Sequence, residues 1–139
     1  MKVAIVYWTG TGNTQAMANA VMEGAKDAGA EVTKMSPSSF DFGMISSYDA
    51  IAFGCPAMGS EVLEESEFQP MFDSCLPELN GKKVALFGSY GWGDGEWMRS
   101  WEKTCEDAGV NLVSESVICC NAPDEAALEA CKVLGTNLA

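Results

Sequence analysis

Seven consecutive residues, Trp8-Thr9-Gly10-Thr11-Gly12-Asn13-Thr14, combine hydroxyls, a carboxamide and an indole N–H with two glycines, and none of them is basic. That set can hold an anion with neutral donors. Glycine lets the main chain approach closely and adopt positive φ. Where such a stretch opens a helix, the free N–H groups and the positive end of the dipole favour a phosphate, and hydroxyls complete its shell. Two other kinds of phosphate loop are excluded by residue type. A nucleoside triphosphate loop needs Gly-Lys-Ser/Thr, which is absent, and a dinucleotide fingerprint needs a third glycine at position 15, which is Gln. A cradle for one terminal phosphate remains.

Two further stretches carry chemistry. Pro56-Ala57-Met58-Gly59-Ser60-Glu61 joins a flexible thioether, a glycine, a hydroxyl and a carboxylate. Ser89-Tyr90-Gly91-Trp92-Gly93 sets an indole between two glycines and beside a phenol. With a phosphate cradle, these suit a flat, partly apolar ring on a phosphorylated chain. Trp92 and Met58 can cover its two faces. Glu61 can accept from a ring imide N–H, and amides near Gly91 and Trp92 can meet ring carbonyls. Other polar and aromatic residues read more simply. Glu61, Glu64, Glu65 and Glu67 together suit a solvated helix start. Trp97 and Trp101, at helical spacing, read as core, and Trp8 fits either role.

The elements that must position these stretches follow from periodicity. Val3-Ala4-Ile5-Val6-Tyr7 is apolar without alternation, as in a parallel strand buried on both faces. Met17, Ala18, Val21, Met22, Ala25 and Ala28 then repeat at helical spacing up to Gly29. Glu31–Met35 reads as a second strand whose charged ends suit a sheet edge. A short helical turn covers residues 42–45, and Ala50–Cys55 is a third strand. A helix carries Phe68, Met71, Phe72, Cys75 and Leu76, with Pro70 in its first turn. The fourth strand is 82–88, and the next helix presents Trp97, Met98, Trp101, Cys105 and Ala108. Leu112-Val113 and Val117–Cys119 form a fifth strand region, and a last helix opens at Pro123-Asp124-Glu125. Five strand–helix alternations with right-handed crossovers give an α/β single-domain, doubly wound five-stranded parallel sheet. The three equipped loops then converge outside its carboxyl edge, where such sheets bind ligands.

A chain of 139 residues is about one domain with a real core. Lys+Arg number 8 against Asp+Glu 20, a net charge of −12, so nucleic acid and anionic membranes are poor partners and basic protein faces are good ones. No apolar stretch reaches membrane-span length, and Met1-Lys2 leads straight into a core strand, which argues for a cytoplasmic protein without a signal peptide. The six cysteines form no Cys-x-x-Cys and histidine is absent, so zinc and iron–sulfur signatures are missing. Most cysteines sit at apolar positions and read as reduced core thiols, while adjacent Cys119 and Cys120 should point to opposite faces of a strand.

The segments 5–14, 54–61 and 82–97 together resemble the short-chain flavodoxins of anaerobic bacteria. The resemblance implies a flavodoxin-like sheet of strand order 2-1-3-4-5 over residues 1–139 and non-covalent FMN. It places the phosphate on Thr9, Thr11, Gly12, Asn13 and Thr14, with Gly10 also among the cofactor-binding residues, and the ring between Met58 and Trp92 with Glu61 near its imide. Pro56 stands where some relatives carry a hydroxyl. The implied function is low-potential one-electron transfer between semiquinone and hydroquinone, with a Gly59–Ser60 peptide that flips on reduction, in a monomer serving redox proteins with basic docking faces. A small FMN-dependent reductase on the same fold is the alternative, and it would need a substrate pocket and a nicotinamide site for which no basic residues are available. A receiver domain would need an acidic pair after the first strand. A Cys-based phosphatase would need Arg where Glu61 follows Cys55.

Overall fold

The computed structural model describes Met1–Ala139. The strands are β1 (Lys2–Tyr7), β2 (Glu31–Met35), β3 (Ala50–Gly54), β4 (Lys83–Tyr90), β5 (Asn111–Leu112) and β6 (Val117–Cys120). The helices are α1 (Asn13–Asp27), α2 (Phe68–Cys75), α3 (Glu96–Asp107) and α4 (Glu125–Leu138). All pairings are parallel, in the order β2-β1-β3-β4-β5, with β6 also on β4. The sheet agrees with the expected order, and β2 takes the edge.

Val3 to Val6 and Ala50 to Phe53 are fully buried because helices cover both faces of the sheet, which explains their unbroken apolar pattern. One face packs Phe53, Phe68, Phe72, Trp97 and Trp101 under α2 and α3. The other packs Val3, Ile5, Met17, Val21, Leu134 and Leu138 under α1 and α4. Trp97 and Trp101 are core residues, as their spacing predicts.

Several boundaries differ from the sequence reading, and β3 ends at Gly54 rather than Cys55. The fifth strand is split: β5 pairs with Lys83 and Val84, and β6 with Phe87 to Tyr90, so the sheet counts six strands, two of them sharing one position. The same pairing extends β4 through Ser89 and Tyr90, which are therefore strand residues and not loop. The short helical turn runs further than expected, as a 3-10 helix over Phe42–Ser47.

All six cysteines are free. Burial pushes the thiols of Cys55, Cys105 and Cys131 up to about 12 and that of Cys75 up to about 11, so they stay protonated and behave as small apolar groups. Cys119 is half-buried and Cys120 exposed, the alternation expected of strand neighbours.

Candidate functional site

The register fixes where the loops emerge. Tyr7 pairs with Gly54 and Gly54 with Phe87, so the carboxyl ends of β1, β3 and β4 lie side by side. Trp8 continues the ladder by donating its N–H to the Gly54 carbonyl at 3.0 Å. Gly12 then turns the chain into α1 at φ 95°, and its N–H donates to Thr9 Oγ1 at 3.1 Å. No side chain caps α1, and no acid lies in its first turn. By contrast, Asp124 caps α4, accepting from the Ala127 N–H at 2.8 Å. Of 20 acidic residues, none falls between positions 8 and 14. The amino end of α1 thus keeps its orphan donors and its positive potential.

A cavity of about 250 Å³ opens there, lined by Trp8, Gly10, Thr11, Asn13, Thr14, Pro56, Ala57, Met58, Ser89, Tyr90, Gly91 and Asn121. Thr14 is buried, with its Oγ1 3.3 Å from Ser89 Oγ, tying α1 to the end of β4. Thr9 lines a neighbouring cavity of about 260 Å³ with Ser36, Pro37 and Glu67. Gly12, Gly59, Ser60, Glu61, Trp92 and Gly93 lie outside both linings, and Trp92 is 62% exposed. Two lining residues are not assigned to the site by sequence. Trp8 fits either a core or a site role there. Asn121 follows β6, so it belongs to a fourth loop at the same sheet edge. Its left-handed φ of 60° is one that asparagine tolerates, and its N–H donates to the Tyr90 carbonyl at 2.7 Å.

The loop after β3 is held as a reverse turn: the Glu61 N–H donates to the Met58 carbonyl at 2.8 Å, and the Met58 N–H to the Val62 carbonyl at 2.9 Å. Glu61 takes a left-handed φ of 52°, which throws its carboxylate under the 91–95 loop. Gly93 makes that possible, since a Cβ there would lie 1.9 Å from Glu61 Oε1. Glu61 Oε1 is buried without a hydrogen-bond partner.

Glu64 departs from the expected solvated face. It is 6% exposed and accepts from the N–H groups of Ser66, Glu67 and Phe68 and from the Ser66 hydroxyl, closing the start of α2. Burial raises its carboxyl, but these four hydrogen bonds outweigh burial and hold it at about 2. A carboxyl lowered on folding stabilises the protein above its unfolded value near 4.5, and the gain is lost as pH falls from 4.5 towards 2. Glu64→Gln is expected to cost about 2–3 kcal/mol at neutral pH and to flatten that acid limb. Urea unfolding at pH 7 and pH 3 checks this; parallel losses for both proteins on acidification would refute it.

Near the ring-side loop, the Asp94 carboxylate lies 2.9 Å from Arg99 Nη2, and that guanidinium keeps its carboxyl low. Asp94 is thus paired, whereas Glu61 and Glu96 are in no ion pair.

A parallel doubly wound sheet whose carboxyl edge combines an uncapped, acid-free helix start with an apolar, hydroxyl-lined cavity defines a mononucleotide-binding α/β protein. The flavodoxin family's sequence profile matches residues 5–135. The chain is 48% identical over 133 residues to the flavodoxin of Megasphaera elsdenii (96% of this chain, 95% of that one) and 47% identical over 122 residues to that of Clostridium beijerinckii (88% of each). The solution structure of two-electron reduced Megasphaera elsdenii flavodoxin superposes with a TM-score of 0.90, covering 98% of this chain and 97% of that one. The chain belongs to the flavodoxin family. It is a small FMN-binding electron-transfer protein, a carrier rather than an enzyme. None of its helices is long and apolar enough to cross a membrane.

Proposed function

We propose that this chain is a low-potential, cytoplasmic, monomeric carrier whose residues 1–139 form one FMN-binding domain. The observation that supports it most is the bare amino end of α1, where neutral donors face a cavity in an otherwise acidic protein. The residues present fit FMN: hydroxyls and amides from Thr9 to Thr14 suit its phosphate, the apolar walls from Pro56, Ala57 and Met58 suit the ring and its chain, and the buried, unpartnered carboxylate of Glu61 suits an imide N–H. FMN, when bound, supplies one-electron chemistry.

The chain's own residues do the rest. Thr14 and Ser89 hold one wall through their shared hydrogen bond. Amides of Gly91 and Trp92 would serve the ring carbonyls, with Tyr90 and Gly93 shaping that loop. Met58 would cover one ring face, and Trp92, exposed in this structure, would be available for the other. The Gly59–Ser60 peptide, with open space around Gly59, would be free to present either its N–H or its carbonyl to the ring. Glu61 and Glu96, within a chain of net charge −12, disfavour added negative charge, which keeps the potential low. The acidic surface favours redox proteins with basic docking faces.

FMN titrated into apoprotein is expected to bind tightly, and Trp92→Ala to weaken it roughly tenfold by removing one stacking face. Fluorescence quenching reads both. Equal affinities for the two proteins would remove Trp92 from the site, and no FMN uptake by the wild type would overturn the whole assignment.

A further inference from the structure

Two buried side-chain polar atoms in this protein have no hydrogen-bond partner, Glu61 Oε1 and Trp101 Nε1. One is an acceptor and the other a donor. Both residues line a single cavity of about 180 Å³ between the 61–63 segment, α2 and α3, which also meets Gln69, Ser100 and Thr104. That cavity shares no lining residue with the one at the amino end of α1.

Packing alone does not account for an indole at position 101. Its ring meets Phe68 and Phe72 edge-on, with centroids 5.5 and 5.6 Å apart, contacts that a phenyl ring would also make. The same contacts fix the ring, so its N–H cannot turn to solvent. Trp97, on the same helix, shows the ordinary outcome: its Nε1 donates to the Cys55 carbonyl at 3.2 Å. Glu61 is fixed from its own side by its left-handed backbone and by Gly93 above it. An orphaned buried donor is costly, and so is an orphaned buried acceptor, but a matched pair linked across one small, largely apolar cavity cancels both costs.

We propose that Trp101 is a positioning residue for FMN binding: its indole N–H donates to one water in this cavity, which donates in turn to the Glu61 carboxylate and holds that carboxylate toward the ring. The cavity has room for a water, and a carboxylate has acceptor sites to spare for both that water and a ring imide. The inference rests on the reading that Glu61 faces the ring.

A double-mutant cycle tests it. Trp101→Phe keeps the packing and removes the N–H, and is expected to weaken FMN binding roughly three- to tenfold. In a Glu61→Ala background the same substitution is expected to change affinity by less than about 1.5-fold. Equal weakening in both backgrounds overturns the proposal. If Glu61→Ala alone leaves FMN affinity unchanged, the placement of Glu61 at the ring fails, and with it the role given to Trp101 in binding. A second measurement needs no Trp101 variant. In the apoprotein, Glu61→Ala is expected to move the Trp101 indole N–H resonance towards that of free indole and to speed its exchange. An unmoved resonance overturns the bond even where the cycle cannot be completed. A cross-peak from that proton to a bound water is expected, and its absence overturns the bridge.

Discussion

Gly24→Ala is expected to lower the unfolding free energy by about 3 kcal/mol, although alanine is the better helix former by about 1 kcal/mol. The sign is decided by what the methyl group would meet. A Cβ at Gly24 would lie 2.0 Å from the Lys132 carbonyl oxygen and 2.8 Å from its Cα, both main-chain atoms of α4. The contact is reciprocal: a Cβ at Gly135 would lie 2.1 Å from the Val21 carbonyl oxygen on α1. Neither neighbour is a flexible side-chain end, so relief requires the two helices to move apart, opening the core of Val21, Ala25, Cys131 and Leu134 between them. The Thr136 hydroxyl, 3.4 Å from the Gly24 carbonyl, would be lost with the separation. Gly135→Ala should behave alike. Gly59→Ala is the control: its φ is not positive and a Cβ there meets nothing within 4 Å, so it should stay within about 0.5 kcal/mol. Urea unfolding of the apoproteins reads all three, and a Gly24→Ala protein as stable as the control would show that the helices separate at no cost.

That contact also marks how far the chain can be read without coordinates. Unbroken apolar runs at 3–7 and 50–55 reveal buried parallel strands because period two disappears only when both faces are covered. The acid-free Thr/Gly stretch is legible as a candidate anion cradle because its chemistry is local. Gly24 and Gly135, by contrast, look like weak points in two helices, since the reason for each lies in a backbone more than a hundred residues away. Glu64 reads as one of several surface carboxylates, and only the fold of 64–68 brings four donors onto it. Trp101 reads correctly as core, but spacing carries no information about where its N–H points. Asn121 escapes because the fifth strand is broken by residues 113–116, which hides the loop that follows it.

Asn13→Asp is expected to strengthen the empty fold and to weaken FMN binding at least a hundredfold, two effects of opposite sign from one near-isosteric change. Asn13 is the first residue of α1, half-buried, and lines the cavity. A carboxylate there meets uncompensated N–H groups, because α1 has neither a side-chain cap nor an acid in its first turn, and this should add about 0.3–1 kcal/mol to apoprotein stability. The same carboxylate then occupies the potential that a phosphate would use. Two unit charges about 5 Å apart at an effective dielectric of about 20 repel by roughly 3 kcal/mol, and a phosphate monoester carries more than one charge at pH 7, so a loss of two decades or more follows. Salt should restore part of it, since the Debye length shrinks from about 10 Å at 0.1 M to about 3 Å at 1 M. Riboflavin supplies the decisive comparison, having the same ring and ribityl chain without the phosphate. Its affinity should be nearly the same for Asn13→Asp and the wild type. Matched losses for riboflavin and FMN would mean that the substitution distorts the pocket, and an undiminished FMN affinity would move the phosphate away from the amino end of α1 altogether.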